Sequence, residues 1–289
     1  ESGSTEIAMF DNNQIDMGEN APPTEYPRLK KDGRLQISPY LGTYFFAFNV
    51  TKAPLDNVKV RKALSLAIDR RAIIDNVTKG EQKPAMAWVP PGMADTSPTA
   101  DFRATGGDFF QDRDIETAKK LLAEAGYPDG RGLPAIELIY NTNDVHKAIA
   151  EAVQEMWRKN LGVNVSLTNQ EWKVFINTRS KGAYQIARHG WIGDYADPMT
   201  FIDMFDSTSG NNDSQYKNPQ YDNFVRLAKS TGNQEIRMKA MHGAEKLLLD
   251  DAVIAPVYFY TRVSMVKPNV KGYQRSVLGH VYFKEAYVE

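Results

Sequence analysis

The chain has 289 residues, with 35 Lys+Arg against 36 Asp+Glu and 42% hydrophobic residues. It is long enough to bury a full core in one large or two smaller domains, and its near-zero net charge leaves no basic footprint for nucleic acid or an anionic membrane surface. It contains no cysteine, which excludes a disulfide framework, a thiolate metal site and a cysteine nucleophile, and it has no apolar run long enough to predict a membrane-spanning helix.

The chain opens on E-S-G-S-T without an initiator Met or a signal sequence, which suits a mature form or a piece of a longer chain. Residues 1–41 are polar and turn-rich, with one short amphipathic run from Ile7 to Ile15 and a Pro22-Pro23 pair, and are predicted to have no core of their own. From Tyr40, the run Y-L-G-T-Y-F-F-A-F-N predicts a buried strand closed by Asn49. Asp56 or Asn57 then caps a helix whose apolar positions, Val60, Ala63, Leu64, Ala67, Ile68, Ile73, Ile74 and Val77, keep helical spacing. The stretch from Gly80 to Arg113 is irregular and rich in Pro and Gly, and a loop that long inside a compact domain usually has a function or wraps over something.

Asp114 opens a helix that stops at Gly126-Tyr127-Pro128. A strand at 136–140, a helix at 144–160 and a strand at 163–167 follow. The stretch from Gln170 to Pro198 then reads helix, strand, loop. Trp172, Phe175, Ile176 and Arg179 form a helical stripe, Tyr184, Ile186 and Arg188 alternate as a strand, and a tight turn carries Trp191, Gly193 and Asp194. Strands alternating with helices in this order imply parallel pairing and an α/β layer, and a loop at a strand's carboxyl end is where such sheets bind ligands. Beyond it, residues 199–205 are predicted helical, 206–214 form a Ser/Asn/Gly/Asp loop, and 221–229 and 234–250 are helices. Two strands, 254–260 and 263–266, precede a loose tail from Lys267.

Several patterns do not add up to catalysis. Ser214-Gln-Tyr-Lys217 matches S-x-x-K without its partner motifs, and no G-x-S-x-G, H-E-x-x-H, Walker A or G-x-G-x-x-G occurs. The acidic loop from Asp206 to Asp213 lacks calcium-loop spacing, and His146 beside Asp144 reads as a solvated helix face. Asp194 is open between an Asx-turn and a ligand-facing carboxylate, and Arg179 and Arg188 between snorkelling surface residues and ligand contacts.

From about Gln14 onward the chain resembles the carboxyl-terminal half or more of the oligopeptide-binding proteins that feed ABC peptide importers. The resemblance rests on Q-I-D-M at 14–17, P-Y-L-G-T-Y at 39–44, K-A-P-L-D-N-V-K-V-R-K-A-L at 52–64, A-K-K-L-L-A-E-A-G-Y at 118–127, N-L-G-V-N-V at 160–165, N-Q-E-W-K at 169–173, G-D-Y-A-D-P at 193–198 and P-V-Y-F-Y at 256–260. It implies an α/β lobe of the type II periplasmic binding protein kind, a mixed sheet with helices on both faces, plus fragments of a partner lobe. The complete lobe is expected at 42–261, with hinge strands near Gly42 and Thr261, and 1–41 and 262–289 are expected to belong to the other lobe.

By that resemblance a short peptide lies extended between the lobes. Asp194 pairs with its ammonium, and Arg188 and His146 meet the carboxylates of peptides of different lengths. Trp191, Trp172, Arg179, Asn211 and Tyr260 line side-chain pockets or the peptide backbone. The resemblance further implies ABC permease subunits in the membrane as partners, the missing amino-terminal portion of the same protein as the other half of the site, and no cofactor, metal or enzymatic activity. It places the protein in a periplasm or tethered by lipid to the outer face of the cytoplasmic membrane. Some family members carry cysteines at the positions of Gly42 and Ile192, which are absent here, and Phe45 stands where tyrosine is frequent. The same architecture also suits a dipeptide, sugar, haem or metal-chelate carrier, or a lobe with no ligand of its own; an amidase or peptidase using Asp194 or His146 as base is the reading from another class.

Overall fold

The structure is a computed structural model that describes residues 3–289. Helix α1 (Gly3–Asp11), the two-residue strand β1 (Met17–Gly18) and helix α2 (Tyr26–Lys31) come first. They have no independent core, because Phe10, Ala21 and Leu29 close around Met265 from the far end of the chain. Strand β2 (Leu35–Phe48) begins before the expected Tyr40.

The continuous helix expected after Asn57 is interrupted. Asn57 caps α3 (Val58–Leu66), accepting from the Lys59 N–H at 2.9 Å, and Asp69 then caps a separate α4 (Arg70–Ile73), accepting from the Ala72 N–H at 2.8 Å. The break has a physical cause in Arg70. Its side chain is fully buried and donates to the carbonyls of Ser65, Ile68, Ala85 and Pro256, a position the chain reaches only by turning between the two helices.

The irregular stretch that follows contains β3 (Lys83–Pro84) and α5 (Phe102–Gly106), and Asp114 caps α6 (Ile115–Glu124) as the sequence predicts. The βαβ pattern then appears in order: β4 (Ile136–Asn141), α7 (Asp144–Leu161), β5 (Val165–Gln170), α8 (Trp172–Ser180) and β6 (Ile186–Ile192). Helices α9 (Met199–Ile202), α10 (Pro219–Ser230) and α11 (Gln234–Asp250) lead to β7 (Ile254–Val266), one long strand where two were expected. The tail holds four two-residue strands, β8 (Val270–Lys271), β9 (Gln274–Arg275), β10 (Val281–Tyr282) and β11 (Tyr287–Val288), paired β9 with β10 and β8 with β11. Among the described residues no helix is long and apolar enough to cross a membrane.

The main sheet has the order β1-β7-β2-β6-β4-β5, with β3 on β7. β4 is parallel to β5 and β6, while β2 is antiparallel to β6 and β7, so the sheet is mixed. Alternate residues of β2 point to opposite faces. Phe45 joins Trp88, Phe175, Phe201 and Phe205 in one core, and Tyr44, Phe46 and Phe48 join Trp157, Val153 and Tyr258 in the other. Each face is covered by helices, as the α/β reading requires.

β2 and β7 run past the end of both cores toward β1. Their ladder is irregular at one place: Pro39 pairs with Thr261 and Thr43 with Phe259, so four steps on β2 span two on β7. Proline, which cannot donate to a ladder, sits at this bulge. Leu41, inside it, donates to Val277 O and accepts from the Gly193 N–H, both at 2.8 Å.

Candidate functional site

Because β4, β5 and β6 run parallel, their carboxyl ends, Asn141, Gln170 and Ile192, reach one edge of the sheet, the edge where open α/β sheets bind ligands. Each is followed within five residues by one the sequence singles out. His146 lies in the first turn of α7, Trp172 opens α8, and Gly193-Asp194 leaves β6.

β6 pairs with β2 along its whole length but with β4 only at Ile186 and Ala187. Beyond Ala187 the two strands part, and no described strand covers that side of Arg188 to Ile192. Arg188 stands at the mouth of the gap. One of its nitrogens lies 3.5 Å from Asn141 Oδ1 across it, another donates to the Tyr260 hydroxyl at 3.3 Å, and the guanidinium lies over the Tyr44 ring at 4.9 Å. Its Nε is buried with no partner among the described residues. His146 Nδ1 is 3.4 Å from the Tyr44 hydroxyl. Burial, and then the charge of Arg188, push the His146 pKa down to about 2, so this imidazole is neutral and Arg188 supplies the positive charge.

Tyr260 rests on a floor of glycine. A Cβ on Gly42 would stand 2.9 Å from its ring, and one on Gly190 would collide with its hydroxyl. Tyr40, Tyr44 and Tyr258 surround it at centroid distances of 6.1, 6.2 and 5.4 Å. A cleft of about 670 Å³ opens between this aromatic wall, the start of α7 and the amino-terminal segment, lined among others by Tyr40, Asn143, Tyr258, Tyr260, Arg262 and Glu19.

Asp194 lies just past the other end of the uncovered edge. Its N–H donates to Thr200 Oγ1 at 3.0 Å, and the Thr200 carbonyl accepts from Trp191 Nε1 at 2.7 Å. Its side chain is exposed, and among the described residues no ion pair reaches it. Arg188 and Asp194 therefore put opposite charges at the two ends of one bare stretch of strand. Trp191 lies in β6 itself and not in the turn where the sequence put it, half-buried against the Phe45 core.

The other predicted residues are less close-knit. Trp172 is 51% exposed at the rim, its ring 6.2 Å from Phe175. Asn211 is exposed in the loop after Phe205, its N–H donating to Ser209 Oγ at 3.3 Å. Arg179, expected at a pocket, is turned inward. Its Nε donates to Asp213 Oδ2 at 2.6 Å, and the two side chains are only 13% and 9% exposed, because a buried carboxylate holds a partner charge. His189, unmarked in the sequence, completes this cluster. Burial pushes its pKa down to about 4 against the pull of Asp213, so it is neutral. Nδ1 accepts from the Gly190 N–H at 2.8 Å, which leaves Nε2–H facing Asp213 at 3.4 Å. Asn141, Gly190, Tyr44 and Tyr258 were also missed. Period-two alternation assigns a residue to a face, and only the pairing register brings these four together.

Comparison with known proteins adds an independent line. The profile of bacterial extracellular solute-binding proteins, family 5 Middle, matches residues 1–213. The oligopeptide-binding protein OppA of Bacillus subtilis is 42% identical over 99% of this chain, which spans 53% of its length. The periplasmic oligopeptide-binding protein OppA of Salmonella typhimurium is 38% identical over 98% of the chain and 52% of its own length. The crystal structure of Haemophilus influenzae OppA in complex with RPPGFSPFR superposes with a TM-score of 0.83 at 36% identity, over 99% of this chain and 56% of that one. The chain thus spans about half the length of the relatives it matches.

Proposed function

The chain belongs to the family 5 bacterial extracellular solute-binding proteins, and from that premise we propose that it forms the ligand-anchoring lobe of a two-lobed carrier of short peptides. Residues 42–261 make that lobe, while 1–41 and 262–289 belong to the other, whose remainder is a separate stretch of the same protein. The carrier works outside the cytoplasmic membrane, in a periplasm or tethered to that membrane by lipid, and delivers its peptide to ABC permease subunits. It captures and releases its ligand without chemical change.

The observation that carries this reading is the bare edge of β6 between Arg188 and Asp194. An extended peptide can add its main chain to such an edge, gaining hydrogen bonds that are the same for every sequence. Asp194 takes the ammonium and Arg188 the carboxylate, each a charge-assisted contact, and a guanidinium can bond a carboxylate through two nitrogens. The neutral His146 and Tyr260 hydroxyl offer further polar contacts at the carboxyl end, and Trp172, Trp191 and Asn211 border side-chain space. Arg179 contributes indirectly, by holding Asp213 and through it the imidazole that caps Gly190. The roomy cleft admits water around side chains, which favours breadth over selectivity.

The test is chemical. The two-lobed carrier, purified and denatured, should release a mixture of short peptides with free amino ends, identified by mass spectrometry. Release of a single non-peptide solute, such as a sugar or haem, would overturn the reading.

A further inference from the structure

The bare stretch of β6 does not offer all of its backbone groups to a ligand. The Gly193 N–H donates to Leu41 O at 2.8 Å and the Asn49 N–H to Gln185 O at 2.9 Å, and along an antiparallel pair, residues bonded to the partner strand alternate with residues turned away from it. Ala187, His189 and Trp191 therefore face β2, while Arg188, Gly190 and Ile192 turn their N–H and C=O groups toward the side that β4 leaves uncovered. The Gly190 donor is already taken, because its N–H donates to His189 Nδ1 at 2.8 Å. The accepting ring is held in place. Phe45 stacks on it at 4.6 Å with the planes 13° apart, and its Nε2–H faces Asp213 Oδ2 at 3.4 Å. Asp213 is itself anchored, its Oδ2 accepting from Arg179 Nε at 2.6 Å and its carbonyl from the Tyr184 hydroxyl at 2.8 Å. Turning the ring away would break this buried cluster. The Gly190 carbonyl, 3.1 Å from Nδ1, faces a lone pair in this tautomer and takes no proton from it. Toward the uncovered side Gly190 thus presents an acceptor without a free donor.

We propose that His189 is a positioning residue that makes recognition at Gly190 one-sided: the ligand residue opposite Gly190 is held through its N–H on the Gly190 carbonyl, and its own carbonyl is left to water. The inference rests on the edge-pairing role of β6 proposed above. A peptide with its ammonium at Asp194 and its carboxylate at Arg188 runs antiparallel to β6, and a residue opposite Gly190 would ordinarily exchange two bonds with it. One of the two is withdrawn before the ligand arrives. The consequence is a preference at one ligand position. A residue without an N–H, such as proline, keeps no main-chain bond there, whereas its carbonyl is not read at all.

Tetra-alanine, whose internal residues all have amide carbonyls, is titrated into the uniformly ¹⁵N-labelled 289-residue chain. The Ile192 amide, turned to the same side, should move, while the Gly190 amide keeps its through-hydrogen-bond nitrogen–nitrogen coupling to His189 Nδ1 to the end of the titration. A merely structural histidine would not require that coupling to survive the ligand. His189→Phe keeps a ring against Phe45 and removes the acceptor. It should bind tetra-alanine about three-fold tighter, the gain that goes with one added hydrogen bond, and its Gly190 amide should now move together with Ile192. Loss of the coupling in the parent as ligand is added, or a folded His189→Phe chain that binds no tighter, overturns the proposal. If His189→Phe does not fold, the coupling in the parent decides alone. The two levels separate at Ile192: if its amide does not respond, the edge-pairing reading fails and takes this proposal with it, and if it responds while the Gly190 coupling is lost, only the role of His189 fails.

Discussion

At the scale of single residues, the site depends on which charges burial permits. Arg188 keeps its charge between aromatic rings, while His146 and His189 are held neutral by burial. This has a consequence for stability. An unfolded histidine titrates near 6.5, so His189, pushed down to about 4 when folded, lets the unfolded chain take up a proton that the native one refuses. The stability present above pH 6.5 is therefore lost as pH falls toward 4, by up to about 3 kcal/mol, and His146 extends the same trend to lower pH. Urea unfolding at pH 7 and pH 4.5 measures it: His189→Gln should flatten the decline, and equal slopes for parent and variant would show that His189 is not its source. Little of this was legible in the sequence. Asp194 and Tyr260 stood in recognisable motifs and Arg188 in an alternating run, whereas His189 matters because Phe45 stacks on it at 4.6 Å and Asp213 arrives from a loop 24 residues later, a meeting that only the fold arranges.

At the scale of elements, the strands and helices between Asp114 and Phe205 follow the pattern read from the sequence, because caps and periodicity are local signals. The break between α3 and α4 did not show, since the apolar spacing continues through it and its cause is long-range. Arg70 reaches carbonyls from three separate segments, and burial lowers its pKa to about 10 while it remains charged. Replacing it with Ala would strand those carbonyls and Asp112, which faces it at 3.2 Å. The expected loss is about 3 kcal/mol or more, read as a lower urea midpoint with unchanged slope; a loss below about 1 kcal/mol would mean that the inter-helix turn is held by packing alone. The single strand β7 was likewise read as two, because the polar Thr261 and Arg262 break the apolar run before the strand gains the β1 segment as a neighbour.

At the scale of the whole molecule, β2 and β7 form a ribbon that runs on past both cores, bulged between Pro39 and Thr43, with Gly42 of β2 opposite Ile192 of β6; in the proposed carrier this ribbon joins the two lobes. A carrier that closes on its ligand bends where pairing is already irregular. In the proposed carrier the 289-residue chain supplies one wall of the cleft and part of the second. An ammonium on the exposed Asp194 then stays in water, where such a pair contributes about 0 to 1 kcal/mol; enclosure by a complete second lobe would dry it and strengthen it.

Titration of trialanine into the ¹⁵N-labelled chain, observed by NMR, therefore tests the central claim most directly. The Gly193 and Asp194 amides should shift with a dissociation constant of about 1 mM or weaker, and N-acetyl-trialanine, or an Asp194→Asn chain, should give binding weaker by up to about five-fold. Micromolar binding, or equal shifts from the acetylated peptide, would contradict an amine anchor that waits for a second lobe to enclose it.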